Sequence, residues 1–203
     1  MSAAKLISLM QTHKLRIFTT RDMVSLTHMT QTAVTQSLYR LAKQGMLVRI
    51  KRGVWVNKLM DNINPFEAVP FLTAPWPAYV SLHSALADYG VIEEIPHIIY
   101  AVTAHLPKNV STPVGTFHIH HLNKRLIWGY DVKQFGSGSY PIADPEKAFL
   151  DLVYLSLVPR SPIQMVHKRS KKWELNPGKL KEYAKRFEYP PLTRYLGRIG
   201  LIR

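Results

Sequence analysis

Apolar residues recur at two different spacings in the first sixty residues. Leu6, Leu9 and Met10 stand at i, i+3 and i+4, the period of one helix face. Arg16-Ile17-Phe18 then reads as a short extended link. Thr19 suits the cap of a second helix, and Asp22 three residues later completes a shortened capping box. Met23, Val24 and Leu26 give that helix its apolar face, and His28-Met29 makes a turn. Thr30 caps a third helix running to about Gln44, where Gly45 supplies the left-handed residue that ends it. Past Gly45 the period drops to two. Val48, Ile50, Val54 and Val56 alternate with Arg49, Lys51 and Trp55, and Lys51-Arg52-Gly53 makes the tight turn between two strands.

That order, three helices with a turn before the third and then a basic hairpin, is the order of a winged helix-turn-helix over residues 1–60. Residues 61–78 hold Pro65, Pro70, Pro75 and Pro77, each removing a backbone donor, and read as a Pro-rich linker. Residues 79–203 mix elements. Ser81–Tyr89 is helical in pattern and stops at Gly90. Ile98–Thr103, Thr116–His121 and Leu126–Tyr130 read as strands. Asp144-Pro145-Glu146 is a strong helix start, and Lys147–Leu157 is apolar almost all round, so it should be buried. A basic loop at about 159–173 precedes two further helices, Gly178–Phe187 and Leu192–Ile199. The expected class is α+β, a winged helix-turn-helix followed by a mixed α/β domain.

Composition narrows the chemistry. The 203 residues are 46% hydrophobic and 20% charged, enough for two small cores and against wholesale disorder. Without cysteine there are no disulfides, thiolate metal sites or cysteine nucleophiles. No apolar run approaches the roughly 20 residues a membrane helix needs. The start, MSAAKLISLMQTHK, lacks the apolar stretch of a signal peptide, so a cytoplasmic location is expected. Net charge is +14, and it is uneven. Residues 1–58 carry ten basic side chains and one acid, residues 59–156 five against nine, and residues 157–203 twelve against three. Two basic zones flanking an acidic middle point to a polyanionic partner.

The third helix carries the candidate reading face. With Val34, Leu38 and Leu41 on the buried stripe, Thr32, Gln36, Tyr39 and Lys43 lie opposite, flanked by Thr35 and Arg40. Gln pairs bidentately with an adenine edge, and Thr meets a base or a thymine methyl, so Thr32, Thr35, Gln36 and Tyr39 are candidate base readers. Arg40 and Lys43 suit phosphates, as do Arg49, Lys51 and Arg52 on the hairpin. A solvated helix face would also take Gln and Thr; the charged hairpin and the surplus of cations favour duplex DNA. Lys168, Arg169, Lys171 and Lys172, with Trp173 beside them, form a second candidate basic surface, with nucleic acid as its natural ligand.

The remaining clusters read as structural. Asp144-Pro145-Glu146-Lys147-Ala148 is explained by helix initiation, with Lys147 and Asp151 an ion pair at i, i+4. His118 and His120 share a strand face but lack further metal ligands. Gly136-Ser137-Gly138-Ser139 is a loop without a P-loop lysine. Asp61, Glu67, Asp88, Glu93, Glu94 and Asp131 read as scattered surface acids. There is no complete catalytic triad and no cofactor fingerprint, so no catalytic residue, cofactor or metal is expected.

Several segments resemble AbiEi-type antitoxins of type IV toxin–antitoxin systems, which also act in abortive-infection phage defence. The N-terminal pieces are FTTRDM and VTQSLYRLAKQGMLVRIKRGVWV. In the second unit YVSLHSALADYG, GTFHIHHL, IADPEKAFLDLVYL and LKEYAKRFEYPPLTRYLG are similar to the family's elements, with Pro145-Glu146-Lys147-Ala148 the most specific. The resemblance implies a winged helix that represses its own operon at inverted repeats in promoter DNA. It also implies a C-terminal domain that counters a nucleotidyltransferase toxin without needing a stable complex. A homodimer on the repeat and cooperative monomers are both compatible with this. Two other readings stay open: a ligand-responsive repressor, and a nucleic-acid-processing enzyme that docks substrate through the winged helix.

Overall fold

A computed structural model of the chain describes residues 2–165 and 173–202. The first unit comprises α1 (Ala3–Thr12), β1 (Ile17–Thr19), α2 (Thr20–Thr27), α3 (Gln31–Lys43), β2 (Leu47–Lys51) and β3 (Val54–Asn57). The strands form one antiparallel sheet in the order β1-β3-β2. Short-range chemistry sets the boundaries. The Thr19 hydroxyl accepts from the Asp22 amide at 3.2 Å, while the Asp22 carboxylate accepts from the Thr19 amide at 2.7 Å. Thr30 accepts from the Ala33 amide at 3.3 Å to open α3. Gly45 and Gly53 hold φ of +77° and +75°, which ends α3 and turns the hairpin without a Cβ clash. Leu6, Met10, Phe18, Met23, Val34, Leu38, Leu41, Leu47 and Trp55 make the core between the helices and the sheet.

The hairpin departs from its expected half-exposed pattern. Trp55, placed by alternation among the outward residues, is 1% exposed, and its indole N–H donates to the Thr20 hydroxyl at 3.0 Å. Ile17, Ile50, Val54 and Val56 point the other way and join the core of the second unit. Both faces of the small sheet therefore carry buried apolar side chains, while Arg49 and Lys51 of β2 stay exposed. A period of two is kept, but the second face is closed by the large apolar area of Trp55.

Residues 61–78 are folded where a linker was expected. A 3-10 turn (Pro65–Ala68) runs into α4 (Val69–Thr73), and β4 (Ala78–Val80) follows. Glu67, Ala68, Val69, Leu72 and Thr73 are buried. Pro65 and Pro70 sit in the first turns of their helices, where a missing N–H costs nothing.

The second unit continues with α5 (Leu82–Asp88), β5 (Ile98–Thr103), β6 (Lys108–Thr112), β7 (Gly115–His121), β8 (Tyr130–Phe135) and β9 (Gly138–Ala143), then α6 (Pro145–Leu157), α7 (Pro177–Phe187) and α8 (Pro190–Arg198). Its six-stranded sheet has the order β6-β7-β5-β4-β9-β8, with β5–β7 and β4–β9 parallel and the other pairs antiparallel. The strand expected at 126–130 starts later: Lys124–Leu126 is a 3-10 turn and the strand is β8. Helix α6 is buried as expected and packs against α5, α7 and α8. The fold is thus a mixed α+β one. Among the described residues no helix is long and apolar enough to cross a membrane.

Candidate nucleic-acid interface

The amphipathic stripe of α3 decides which residues it offers. Val34 and Leu38 are fully buried and Leu41 nearly so, which turns Thr32, Gln36, Tyr39, Arg40 and Lys43 outward, all exposed. Their exposure shows that none of the described residues of the second unit covers this face, and the buried side chains of α3 belong to the small core. The side chains of Thr32 and Gln36 make no hydrogen bond among the described residues, so their donors and acceptors are free for a ligand. Thr35 differs: it is half-buried, and its hydroxyl donates to the Gln31 carbonyl at 2.7 Å. What it presents outward is reduced accordingly.

Tyr39 also differs from a free reader. Its ring stands edge-on against Trp55, with centroids 5.1 Å apart and planes at 87°. The Arg49 guanidinium donates to its hydroxyl and lies 5.5 Å from the ring centroid. Tyr39 therefore links α3 to the hairpin and orients Arg49, a role that i, i+3 spacing on one helix could not reveal.

Lys51 and Arg52 occupy the hairpin turn, both exposed. Beside them a groove of about 360 Å³ is lined by Thr19, Arg21, Gln31, Lys51, Arg52 and Phe71 among others, with no acid among the described residues of its wall. Arg21 was missed in the sequence. It sits in the first turn of α2 within the capping box, so its only local signal is a helix start. None of Arg21, Arg40, Lys43, Arg49, Lys51 or Arg52 pairs with a carboxylate among the described residues. The one acid of the first fifty-eight residues, Asp22, is spent on its cap. A cationic surface with no internal counter-ion leaves its field directed outward.

Of the second candidate surface, Lys168, Arg169, Lys171 and Lys172 lie outside the described residues. Trp173 packs on Phe149, with ring centroids 4.6 Å apart, as part of the core's margin.

The other clusters have internal explanations. Asp144 caps α6 by accepting from the Lys147 amide at 2.9 Å, and Lys179 bridges Asp144 and Glu146 at 3.1 and 3.2 Å. Lys147 and Asp151 pair in full burial. Two of the acids expected to be scattered on the surface are engaged: Glu67 is buried against Arg16, and Asp88 pairs with Lys133 at 2.7 Å. His118 and His120 flank Tyr100, and among the described residues no group of three His, Asp or Glu is placed to hold a metal ion. A scan against protein-family models and a search of curated proteins find no match for this chain.

Proposed function

We propose that the protein is a DNA-binding transcriptional autorepressor and the antitoxin of a type IV, AbiE-like toxin–antitoxin pair, counteracting a toxin of the nucleotidyltransferase class. In this reading the first unit is a winged helix-turn-helix. Helix α3 enters the major groove, Thr32 and Gln36 meet base edges, and Arg40, Lys43, Lys51 and Arg52 hold phosphates. Tyr39 aims Arg49 at the backbone. The observation that carries the reading is the exposed, acid-free face of α3 standing beside a cationic hairpin turn. Its partner is promoter DNA, with an inverted repeat matching a dimer or a cooperative pair of monomers. The antitoxin half rests on the resemblance around Pro145-Glu146-Lys147-Ala148. A gel shift on the gene's own upstream DNA tests the first half. Gln36→Ala is expected to relax sequence preference, whereas Arg52→Ala weakens binding to every duplex. Unchanged binding in both variants overturns the site. For the second half, co-expression of the full chain with a nucleotidyltransferase encoded next to it should restore growth.

A second reading, a repressor whose DNA affinity answers to a small molecule, is favoured by a cavity of about 400 Å³ in the second unit. His83, Ile92, His97, Tyr100 and Met165 are among its lining. A metabolite that changes duplex affinity would select this reading.

A further inference from the structure

The hairpin turn meets the second unit at one backbone carbonyl. Leu72, near the end of α4, offers its oxygen to two ammonium groups: Lys51 at 3.4 Å and, closer still, Lys108 at the start of edge strand β6. A carbonyl has two lone pairs, so both bonds are satisfied, but it carries only a partial charge. Neither lysine pairs with a carboxylate among the described residues, and both side chains are exposed. Two like charges held at one oxygen repel unless an anion joins them. Partial burial of the ammonium against α4, and then the neighbouring Lys51, hold the Lys108 pKa below the ordinary lysine value. A lysine on an edge strand often serves only to block strand pairing, and then it needs no partner beyond water. This one instead turns back over α4 to the hairpin. Lys51 also lines the acid-free groove that holds Arg21 and Arg52.

We propose that Lys51 and Lys108 form one phosphodiester-binding site at the junction of the two units, continuous with Arg21 and Arg52. The second unit thereby grips the backbone of the duplex that α3 reads. The inference rests on the DNA-binding reading above and adds to it a contact from outside the first unit. A phosphodiester presents two non-bridging oxygens that share one negative charge, one for each ammonium, in charge-assisted bonds stronger than those to Leu72. Duplex DNA is the source because Lys51 belongs to the turn beside the exposed face of α3. Arg16, bonded to Glu67 and Ser137, ties the first unit to the second, so Lys108 keeps a set position relative to α3.

Fluorescence anisotropy of the full chain on a duplex from its own upstream region, over a range of salt, reads the site. Lys108→Ala is expected to lower the slope of log affinity against log salt, by at most roughly 0.9 because Lys51 stays on the shared phosphate, and to weaken binding about five- to tenfold at about 0.1 M salt. The loss should be equal on the specific and a scrambled duplex, because a phosphate contact carries no sequence information. Lys108→Arg should keep the slope. An unchanged thermal melt establishes that the variant is folded. If Arg52→Ala lowers the slope and Lys108→Ala does not, the junction site is overturned while the DNA-binding reading stands. If the unaltered chain binds neither duplex, both are overturned.

Discussion

Arg16 and Glu67 are joined across the two units by paired bonds of 2.8 Å, Nε to Oε2 and Nη2 to Oε1. Nη1 also donates to the Asp61 carbonyl at 3.1 Å and the Ser137 hydroxyl at 2.8 Å, and Nη2 to the Asn62 carbonyl at 2.8 Å. All five guanidinium donors are used. The side chains are 7% and 6% exposed, and the bond to Glu67 raises the Arg16 pKa despite burial. Removing one partner leaves a buried, uncompensated charge. Arg16→Met should therefore cost about 3–5 kcal/mol in urea unfolding. Arg16→Lys should recover little, because an ammonium cannot make the fork. A loss below about 1 kcal/mol, the range of an exposed pair, would show that the clamp does not hold the units together.

Gly138, in the strand beside this clamp, has no room for a side chain. A Cβ there would stand 2.5 Å from both Arg16 Nε and Glu67 Oε2. Those atoms end flexible side chains, but every donor on the guanidinium is committed, so neither can retreat without breaking bonds. Gly138→Ala is expected to destabilise by about 2–3 kcal/mol. In an Arg16→Met background the same change should cost distinctly less, since the obstructing group is gone. Equal costs in the two backgrounds would disconnect Gly138 from the clamp.

Neither member of that clamp was legible in the sequence, where Arg16 read as part of an extended link and Glu67 as a surface acid. Their pairing spans 51 positions and exists only once the Pro-rich segment folds. What the sequence did carry was local. The Thr19–Asp22 box, the Thr30 cap, Gly45 and the Val34-Leu38-Leu41 stripe all depend on neighbours within one or two helix turns. The outward face of α3 follows from that stripe. Strand β6 was missed and β8 was expected too early because both are edge strands: Lys108 and Asn109 are exposed, as are Asp131 and Val132, so no apolar alternation marks them. The second buried face of the hairpin was missed because Trp55 obeys the same period whether it faces water or α3.

The Tyr39 hydroxyl accepts from Arg49 while its ring leans on Trp55. Tyr39→Phe keeps the ring contact and releases the guanidinium. Fold stability should change by less than about 1.5 kcal/mol, the net worth of one exposed hydrogen bond. Duplex affinity should fall about three- to tenfold as Arg49 loses its orientation, a loss of the size of one phosphate contact. A gel shift on specific and scrambled duplexes reads both terms. A change confined to the specific duplex would instead return Tyr39 to the base-reading role expected from the sequence.

His120 has a buried Nε2 without a hydrogen-bond partner among the described residues, and its ring stacks on Tyr100 at 6.0 Å. Burial, with His118 and His83 nearby, lowers its pKa to about 4. The unfolded chain takes up this proton near pH 6.5, the folded chain only near 4, so the unfolded state binds more protons between the two. Its contribution to stability is full above about pH 6.5 and is lost as pH falls toward 4. Allowing for the partial exposure of the ring, the loss at about pH 5 should be on the order of 1 kcal/mol. Burial lowers the His83 pKa as well, in the same direction. Urea unfolding at about pH 7 and about pH 5 measures the slope, and His120→Phe should flatten it. A variant as pH-sensitive as the unaltered chain would assign the slope to other groups.

Lys147 and Asp151 face each other one turn apart on α6, both without solvent contact. The Lys147 ammonium donates to Asp151 and, at 2.9 Å, to the Tyr79 hydroxyl, which itself donates to Asp151 at 3.2 Å. Ser81 donates to the same carboxylate oxygen at 2.8 Å, and the rings of Trp128 and Phe187 lie 5.0 Å from the ammonium. Burial pushes the lysine pKa down and the aspartate pKa up, and their mutual attraction opposes both shifts. Every polar atom of the group has a partner, so the network serves the fold and leaves no atom free to act on a substrate. Asp151→Asn alone, or Lys147→Met alone, should each cost about 3–5 kcal/mol, because each strands the other charge. The double replacement Lys147→Met/Asp151→Leu should cost far less than the two together, since no buried charge remains. A double-mutant cycle by chemical denaturation measures the coupling. Additive single losses would mean that each residue is held by its other neighbours, Tyr79, Ser81 and the aromatic rings, and not by its counter-charge.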